Sequence, residues 1–256
     1  MKKTKEKIIV NTITSTRVIG TVLMPILFNT LSSGVFLLVV SAILFTDFVD
    51  GILARRWGVS TVFGSILDMT ADKVFGIVIL IVLSTMYPIM TIPLALETII
   101  AGINYKGMMK GTVGKSSELG RIKMWVMGLS IFSLLLTGLG PELIENLKNV
   151  KIDKNSLEYL VNSKDITLNV LEEVEKNKDV IKNVAVSSAI ISESIVAVDY
   201  FIKSIKKVDK DSKIYKIADL IKNKEYIKSI LFNEKYYEET KDLPLIKKLI
   251  PDNKEI

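Results

Sequence analysis

The sequence predicts an all-α integral membrane protein built as a bundle of six transmembrane helices. Apolar residues make up 49% of its 256 residues and the mean hydropathy is +0.37, which is high for a soluble protein of this length. The apolar residues also gather in long runs, each near the roughly 20 residues that cross a bilayer. These runs are Thr16–Leu31, Val35–Arg55, Thr61–Tyr87, Ile89–Asn104, Leu119–Leu139 and Val184–Ile202.

The first apolar run follows a lysine-rich N-terminal segment, as the apolar part of a signal peptide would. Arg17 interrupts the front of this run, and the residues after it form no small-residue cleavage site. We therefore expect a retained first membrane helix.

The basic residues set the expected orientation of the spans. The net charge is +6, and the basic residues lie beside the apolar runs, which favours a membrane protein over a nucleic-acid-binding one. Lysines precede the first span, Arg55 and Arg56 follow the second, and Lys106, Lys110 and Lys115 follow the fourth. By the positive-inside rule, both termini and the basic loops face the cytoplasm.

Two polar segments extend the expected membrane core, which comprises residues 1–140 and 184–206. Residues 141–183 predict a polar, helical insertion between the fifth and sixth spans, on the extracytoplasmic side. Residues 207–256 predict a cytoplasmic tail of one or two amphipathic helices, because apolar residues recur there at helical spacing. The tail either packs against the core or the membrane surface, or binds a regulatory partner.

The sequence contains no cysteine and no histidine. The lack of cysteine excludes disulfides, thiolate metal sites and cysteine nucleophiles. The lack of histidine removes the usual general base and the commonest transition-metal ligand. Acid–base or metal chemistry therefore has to use other side chains, and carboxylates prefer hard cations such as Mg²⁺ or Mn²⁺.

Four aspartates lie inside the second and third apolar runs, where ionisable residues are costly and are functional candidates by default. Asp47 and Asp50 share one helical face of the second span. Asp68 and Asp72 share one face of the third. The connection between the two spans is short, so we expect antiparallel neighbours whose polar faces meet near the cytoplasmic end.

Four like charges at low dielectric need protons or cations as compensation. Two divalent cations balance four carboxylates, and a metal pair about 3.5–4 Å apart is typical of phosphate chemistry. Gly51, Ala54 and Gly64 lie on the same faces, where small residues permit close helix packing or the approach of a flat ligand. Arg55 continues the polar face, which favours a contact with phosphate over a simple membrane anchor.

This pattern resembles the signature of the CDP-alcohol phosphatidyltransferases. The matching residues are Asp47, Asp50, Gly51, Ala54, Arg55, Gly64, Asp68 and Asp72. Members of that family transfer a phosphatidyl group from a CDP-linked lipid to an alcohol and release CMP. The resemblance extends over roughly residues 8–140 and 184–206, and it implies a homodimer in the membrane.

The resemblance implies a role for each matching residue. The four aspartates would hold one or two divalent cations, Mg²⁺ or Mn²⁺, on the pyrophosphate of CDP-diacylglycerol. Asp68 and Asp72 would be catalytic, with Asp72 as the general base for the acceptor hydroxyl. The CDP-binding residues would be Gly51, Ala54, Arg55 and Gly64, with Asn11 and Thr14 from the first span. Asn11 and Thr14 are equally suited to cap the first helix.

The wider sequence resembles the bacterial phosphatidylglycerophosphate synthases, whose acceptor is glycerol 3-phosphate. The similar segments are Asn11-x-x-Thr14-x-x-Arg17, 117–123 and 198–201. That group carries arginine where this chain has Leu96 and Asn104 in the fourth span. Since those arginines are plausible anchors for the acceptor phosphate, another acceptor, such as phosphatidylglycerol or a polyol, stays open.

Charged residues outside the signature are candidates for binding the acceptor. They are Arg17, Glu97, Lys106, Arg121 and Lys123. Arg121 and Lys123 are alternatively positive-inside anchors. Glu97 and Glu193 lie in apolar spans, where they either line a cavity or pair with neighbouring polar groups.

Two other classes of function compete with an enzyme. A cation transporter or channel would place acidic residues at several depths in several spans, whereas the four aspartates gather at one end of one hairpin. A pseudoenzyme or assembly subunit would work through its insertion and tail, yet the signature is intact. The sequence favours a phosphatidyltransferase with CDP-diacylglycerol as donor.

Overall fold

The computed structural model describes residues 2–109, 118–150, 158–206, 224–243 and 248–249. All regular elements in these residues are helical, so the expected all-α class is confirmed there. The first helices are α1 (Lys2–Thr30), α2 (Ser33–Trp57) and α3 (Val62–Met86), and a 3₁₀ turn at Pro88–Met90 leads into α4 (Thr91–Met109). Next come α5 (Glu118–Asn149), α6 (Glu158–Lys176) and α7 (Lys178–Lys206), followed by two tail helices, Lys224–Leu231 and Glu234–Thr240.

Five of the described helices are long and apolar enough to cross a bilayer. The spans are Thr4–Thr30, Ser33–Trp57, Pro88–Tyr105, Glu118–Asn149 and Lys178–Ile202. Large apolar side chains on these helices face outwards, such as Leu38 at 70% and Trp125 at 78% exposure, as contact with lipid requires. The chain is therefore a multi-pass membrane protein. α3 is not among the five, so the expected count of six spans is not reached on this criterion.

The core of the bundle holds the first three helices together. α1 packs along both α2 and α3, while α7 packs against α4 and α5. Met24 of α1, Phe36 of α2 and Leu83 of α3 are almost completely buried at the centre. The rings of Phe28 and Phe36 meet edge to face with their centroids 5.2 Å apart. This packing places α1 in contact with the two helices that carry the aspartates.

The connection from α2 to α3 is short because both helix ends are capped. α2 ends at Gly58, whose φ of 61° and ψ of 41° lie in the left-handed region that favours glycine. At the start of α3, the hydroxyl of Thr61 accepts a 3.1 Å hydrogen bond from the backbone N–H of Gly64. The tight turn brings the C-terminal end of α2 close to the N-terminal end of α3.

The helix of the fifth span is longer than the apolar run predicts. α5 continues past Leu139 and through Pro141 to Asn149. Its extension contacts the start of α2, where Ser33 donates a 3.0 Å backbone hydrogen bond and a hydroxyl hydrogen bond to the carboxylate of Glu142. α6 lies along α5. That residues 141–183 form an extracytoplasmic insertion stays a prediction.

Candidate functional site

Three of the four aspartates converge at the junction of α2 and α3. Asp47, Asp50 and Asp68 each place one carboxylate oxygen within 4.8 Å of the other two. Asp50 is buried, whereas Asp47 and Asp68 are exposed. A set of carboxylate oxygens suits Mg²⁺ or Mn²⁺, since these cations prefer oxygen ligands. The donors present therefore fit a hard divalent cation.

Asp50 is held in place by α1. Its side chain is 4% exposed, and its Oδ2 accepts a 2.6 Å hydrogen bond from the hydroxyl of Thr14. Thr14 and Asn11 lie well inside α1, which begins at Lys2. The alternative that Thr14 and Asn11 cap the first helix is therefore wrong.

Arg17 of α1 joins the aspartates of both neighbouring helices. Its side chain is 3% exposed, and it pairs with Asp47, with Asp68 at 2.7 Å and with Asp72 at 3.4 Å. The guanidinium thus supplies part of the positive charge that the clustered carboxylates require. The sequence suggested an acceptor contact for Arg17, but its ion-pair partners in the described structure are the aspartates.

Asp72 stands apart from the three converging carboxylates. It is half exposed and lines a small cavity of about 40 Å³ together with Arg17, Asp47 and Phe75. Its ion pair with Arg17 links it to the same group. Among the described residues, Asp72 is therefore a neighbour of the three-carboxylate set and not a member of it.

A larger cavity of about 200 Å³ opens beside the aspartates. All the residues that the sequence suggested for CDP binding line it, namely Asn11, Thr14, Gly51, Ala54, Arg55 and Gly64. Asp50 and Asp68 line it as well. The cavity and the carboxylates therefore form one continuous site, and the nucleotide role of its lining residues stays a prediction.

Gly64 keeps one wall of this cavity open. A Cβ at this position would lie 3.3 Å from Oγ1 of Thr61 and 3.5 Å from Oδ1 of Asn11. A larger side chain would therefore press on two residues of the lining, and it would occupy space where the backbone is now accessible.

Several lining residues carried no signal in the sequence. Val59, Ser60 and Thr61 come from the α2–α3 turn and Ser65 from the start of α3. Their closeness in sequence to Arg55 and Gly64 of the signature was the only hint. Tyr237 comes from the tail. Its sequence distance from the signature gave no indication that it reaches the site.

A second polar group, called here the buried ionic cluster, consists of Lys73, Glu97, Lys123 and Glu193. Lys123 of α5 pairs with Glu97 of α4 at 2.5 Å and with Glu193 of α7 at 3.1 Å. Lys73 of α3, next to Asp72, pairs with Glu97 at 2.7 Å. The cluster is buried apart from Lys73, and two lysines balance two glutamates. The alternative that Glu97 and Glu193 pair with polar neighbours is confirmed.

The other cations suggested for the acceptor lie elsewhere. Arg121 is exposed and pairs with Glu118 at 3.6 Å, one turn away on α5. The side chain of Lys106 lies outside the described residues. Arg17, Lys123 and Arg121 thus each have a carboxylate partner in the structure.

Several curated relatives match part of the chain. The CDP-diacylglycerol–glycerol-3-phosphate 3-phosphatidyltransferase of Pectobacterium atrosepticum is 36% identical over 98 residues, which cover 35% of this chain and 54% of the relative. The protein of the same name from Bacillus subtilis (strain 168) is 33% identical over 103 residues, covering 39% of this chain and 53% of the relative. That from Cereibacter sphaeroides is 31% identical over 109 residues, covering 40% and 49%.

These matches have a limited extent. The chain spans about half the length of these three curated relatives. No solved structure matches the chain significantly. The family described as CDP-alcohol phosphatidyltransferase matches residues 7–152, which include the three converging aspartates and thirteen of the fourteen residues that line the larger cavity. The chain belongs to the CDP-alcohol phosphatidyltransferase family.

Proposed function

We propose that this chain is an integral-membrane enzyme that transfers a phosphatidyl group from CDP-diacylglycerol to an alcohol and releases CMP. The observation that carries the proposal is the convergence of Asp47, Asp50 and Asp68 beside the 200 Å³ cavity. Family membership and the names of the relatives support the same reaction. A cation transporter would need acidic groups along a pathway, and the described aspartates instead flank a cavity lined by Arg55.

In the proposed reaction, the acceptor hydroxyl attacks the phosphorus that bears the diacylglycerol, and the bond from that phosphorus to the CMP oxygen breaks. Asp72 takes the hydroxyl proton, a role that a carboxylate can fill where histidine is absent. Asp68 assists as the second catalytic residue. One or two divalent cations, Mg²⁺ or Mn²⁺, held by Asp47, Asp50, Asp68 and Asp72 would neutralise the pyrophosphate and its developing charge.

The nucleotide is proposed to enter the larger cavity. Gly51, Ala54 and Gly64 leave the backbone accessible to the base or ribose, as residues without large side chains do. Arg55 is proposed to hold a phosphate, since its guanidinium matches phosphate oxygens. Asn11 and Thr14 supply polar groups from α1.

Glycerol 3-phosphate is the proposed acceptor, and the names of the relatives support it. Its phosphate would be met by cations such as Arg17, Lys106, Arg121 and Lys123, with Glu97 near the hydroxyls. The charge balance of the buried ionic cluster supports an acceptor other than glycerol 3-phosphate. Lys123 already pairs with two glutamates, so its charge is not free to bind a phosphate. Phosphatidylglycerol or an uncharged polyol is therefore kept as the alternative.

One experiment separates these acceptors. Purified protein is incubated with CDP-diacylglycerol, Mg²⁺ and, in turn, glycerol 3-phosphate, phosphatidylglycerol or a polyol, and the lipid product is identified by mass spectrometry. We expect phosphatidylglycerophosphate with glycerol 3-phosphate. Formation of cardiolipin would show that phosphatidylglycerol is the acceptor, and formation of a polyol lipid would show that the polyol is. An absence of CMP release with every acceptor would contradict the reaction.

The proposed base is tested by Asp72→Asn. We expect CMP release to fall by about 100-fold or more, the usual contribution of general acid–base catalysis, while the protein still inserts into membranes. Asp179→Asn is the matched control, because Asp179 is exposed at the start of α7 and pairs with Lys182. Turnover by Asp72→Asn at the rate of this control would overturn the mechanism.

The membrane arrangement is also a proposal. We propose that α3 crosses the cell membrane as a sixth span, since its 25 residues match the length of α2. A homodimer is proposed from the family resemblance alone. Light scattering in detergent tests the homodimer, because a protein mass near 28.6 kDa would indicate a monomer.

A further inference from the structure

One residue of the larger cavity comes from the tail. Tyr237 lies in the second tail helix, Glu234–Thr240, and lines the cavity. All the other lining residues fall between Val10 and Asp68. The tail therefore adds an aromatic side chain to a wall that is otherwise made by α1, α2, α3 and the α2–α3 turn.

Two contacts place the tail against the membrane core. The rings of Phe232 and Phe63 lie with their centroids 5.0 Å apart and an angle of 36° between them. Nζ of Lys7 donates a 2.8 Å hydrogen bond to the carbonyl of Phe232 and pairs with Glu234 at 2.9 Å. An aromatic contact to α3 and a polar contact to α1 thus meet at the turn between the two tail helices.

Contacts within the tail orient the tyrosine. Asn233 caps the second tail helix by accepting a 3.2 Å hydrogen bond from the backbone N–H of Tyr236. The hydroxyl of Tyr236 donates to the carbonyl of Lys248 at 2.5 Å. Nζ of Lys248 lies over the ring of Tyr237, 5.4 Å from its centroid, at a distance typical of a cation–π contact. The ring of Tyr237 is therefore held by a contact within its own segment.

We propose that residues 224–243 dock over the larger cavity and that the ring of Tyr237 contacts the cytidine part of the CDP-lipid. The inference rests on the proposed function in taking a nucleotide as the ligand. An aromatic ring is a suitable partner because every base presents a π-face. On this proposal the tail is a component of the donor site and does more than pack on the membrane surface.

Nucleotide binding tests the contact. The binding of CDP and of pyrophosphate to the full-length protein is measured by titration calorimetry in Mg²⁺. Tyr237→Ala is expected to weaken CDP binding on the order of tenfold, the size of a lost base–aromatic contact, and to leave pyrophosphate binding unchanged. Tyr237→Phe keeps the ring and is expected to bind CDP as the wild type does.

The matched control is Tyr105→Ala, since Tyr105 is an exposed tyrosine of α4 that does not line the cavity. If Tyr237→Ala binds CDP as tightly as this control does, the contact is wrong. The contact is also wrong if CDP and pyrophosphate binding weaken together, because that indicates a general loss of the site. Thermal unfolding of each variant shows whether it is folded.

A cross-link tests docking separately from the nucleotide. The chain contains no cysteine, so the pair Lys7→Cys/Glu234→Cys reacts with a short bismaleimide without background thiols. We expect an intramolecular product that migrates as a monomer, with the two single variants as controls. No such product would overturn docking. If the protein cross-links but binds no CDP, both the nucleotide contact and the proposed function are wrong. If Tyr237→Ala transfers the phosphatidyl group normally with an unchanged KM for the donor, this inference alone is wrong.

Discussion

Arg17 is the residue on which the electrostatics of the site depend. It is buried and meets three of the four aspartates, whose mutual repulsion would otherwise raise the free energy of the fold. A divalent cation at Asp47, Asp50 and Asp68 would supply positive charge to two of the carboxylates that Arg17 meets, Asp47 and Asp68. Arginine and metal therefore share the task of compensating the carboxylates.

A substitution at Arg17 tests this division. Arg17→Gln is expected to destabilise the protein in EDTA by about 2 kcal/mol, between the values for exposed and buried ion pairs. In Mg²⁺ the loss is expected to be smaller, because the cation replaces the missing charge. Thermal unfolding in detergent with and without Mg²⁺ measures both effects. Equal losses in the two conditions would count against a cation at these aspartates.

Thr14 offers a second prediction at the residue scale. Thr14→Val leaves the buried Asp50 carboxylate without its 2.6 Å hydrogen bond, and a lost partner of a buried polar group costs about 1–3 kcal/mol. Thr16→Val is the matched control on the same helix, because Thr16 is exposed and its hydroxyl donates to the carbonyl of Ile13. Unfolding midpoints that fall equally in both variants would show that the contact with Asp50 contributes little.

At the scale of helices, the buried ionic cluster joins four elements that are distant in sequence. Lys73 belongs to α3, Glu97 to α4, Lys123 to α5 and Glu193 to α7. Glu193 is 1% exposed, so its charge depends on Lys123. A buried charge that loses its partner costs far more than a complete pair contributes.

Lys123→Met is therefore expected to destabilise the protein by about 3–5 kcal/mol, because it orphans Glu193. The double variant Lys123→Met/Glu193→Gln removes the orphaned charge, while Lys73 still pairs with Glu97. We expect the double variant to recover most of the lost stability. Thermal unfolding in detergent measures the series, and a double variant less stable than Lys123→Met would show that the charge balance is unimportant.

The helices and the local arrangement of the signature follow from short-range patterns. Apolar runs and helical periodicity are local properties, and they placed Asp47 and Asp50 on one helix face and Asp68 on the next. Gly58 and Thr61 cap the two helix ends, so the turn that brings those faces together is also encoded locally. Convergence of three of the four aspartates was predictable for this reason, whereas Asp72 lies outside the set among the described residues.

Contacts between distant segments could not be predicted in the same way. The pairing of Lys123 with Glu193 and the contact of Phe232 with Phe63 depend on how whole helices pack. The position of α1 along α2 and α3 also arises from packing of the core, and it places Arg17 against the aspartates. The continuation of α5 through Pro141 depends on tertiary contacts such as that of Glu142 with Ser33.

At the scale of the whole molecule, the site lies at one end of the bundle. The last turn of α2 carries Arg55 and Arg56. The same end holds the lysine-rich start of α1, as the contact of Lys7 with the tail indicates. The positive-inside rule assigns such an end to the cytoplasm. The site would then open towards water-soluble substrates and products, while the lipid part of the donor stays in the bilayer.

The orientation is tested with single cysteines, which the cysteine-free sequence makes possible. Thr4 in the first turn of α1 and Ser32, two residues past its other end, are both exposed. The 29 residues of α1 span about 43 Å at 1.5 Å per residue. We expect a membrane-impermeant maleimide to label Ser32→Cys in intact cells. Thr4→Cys is expected to be labelled only after the cells are permeabilised. The reverse pattern would place the aspartates on the outer side, where the cell's cytoplasmic CDP-lipid headgroups could not reach the cavity. Labelling of both positions in intact cells would show that α1 does not cross the membrane.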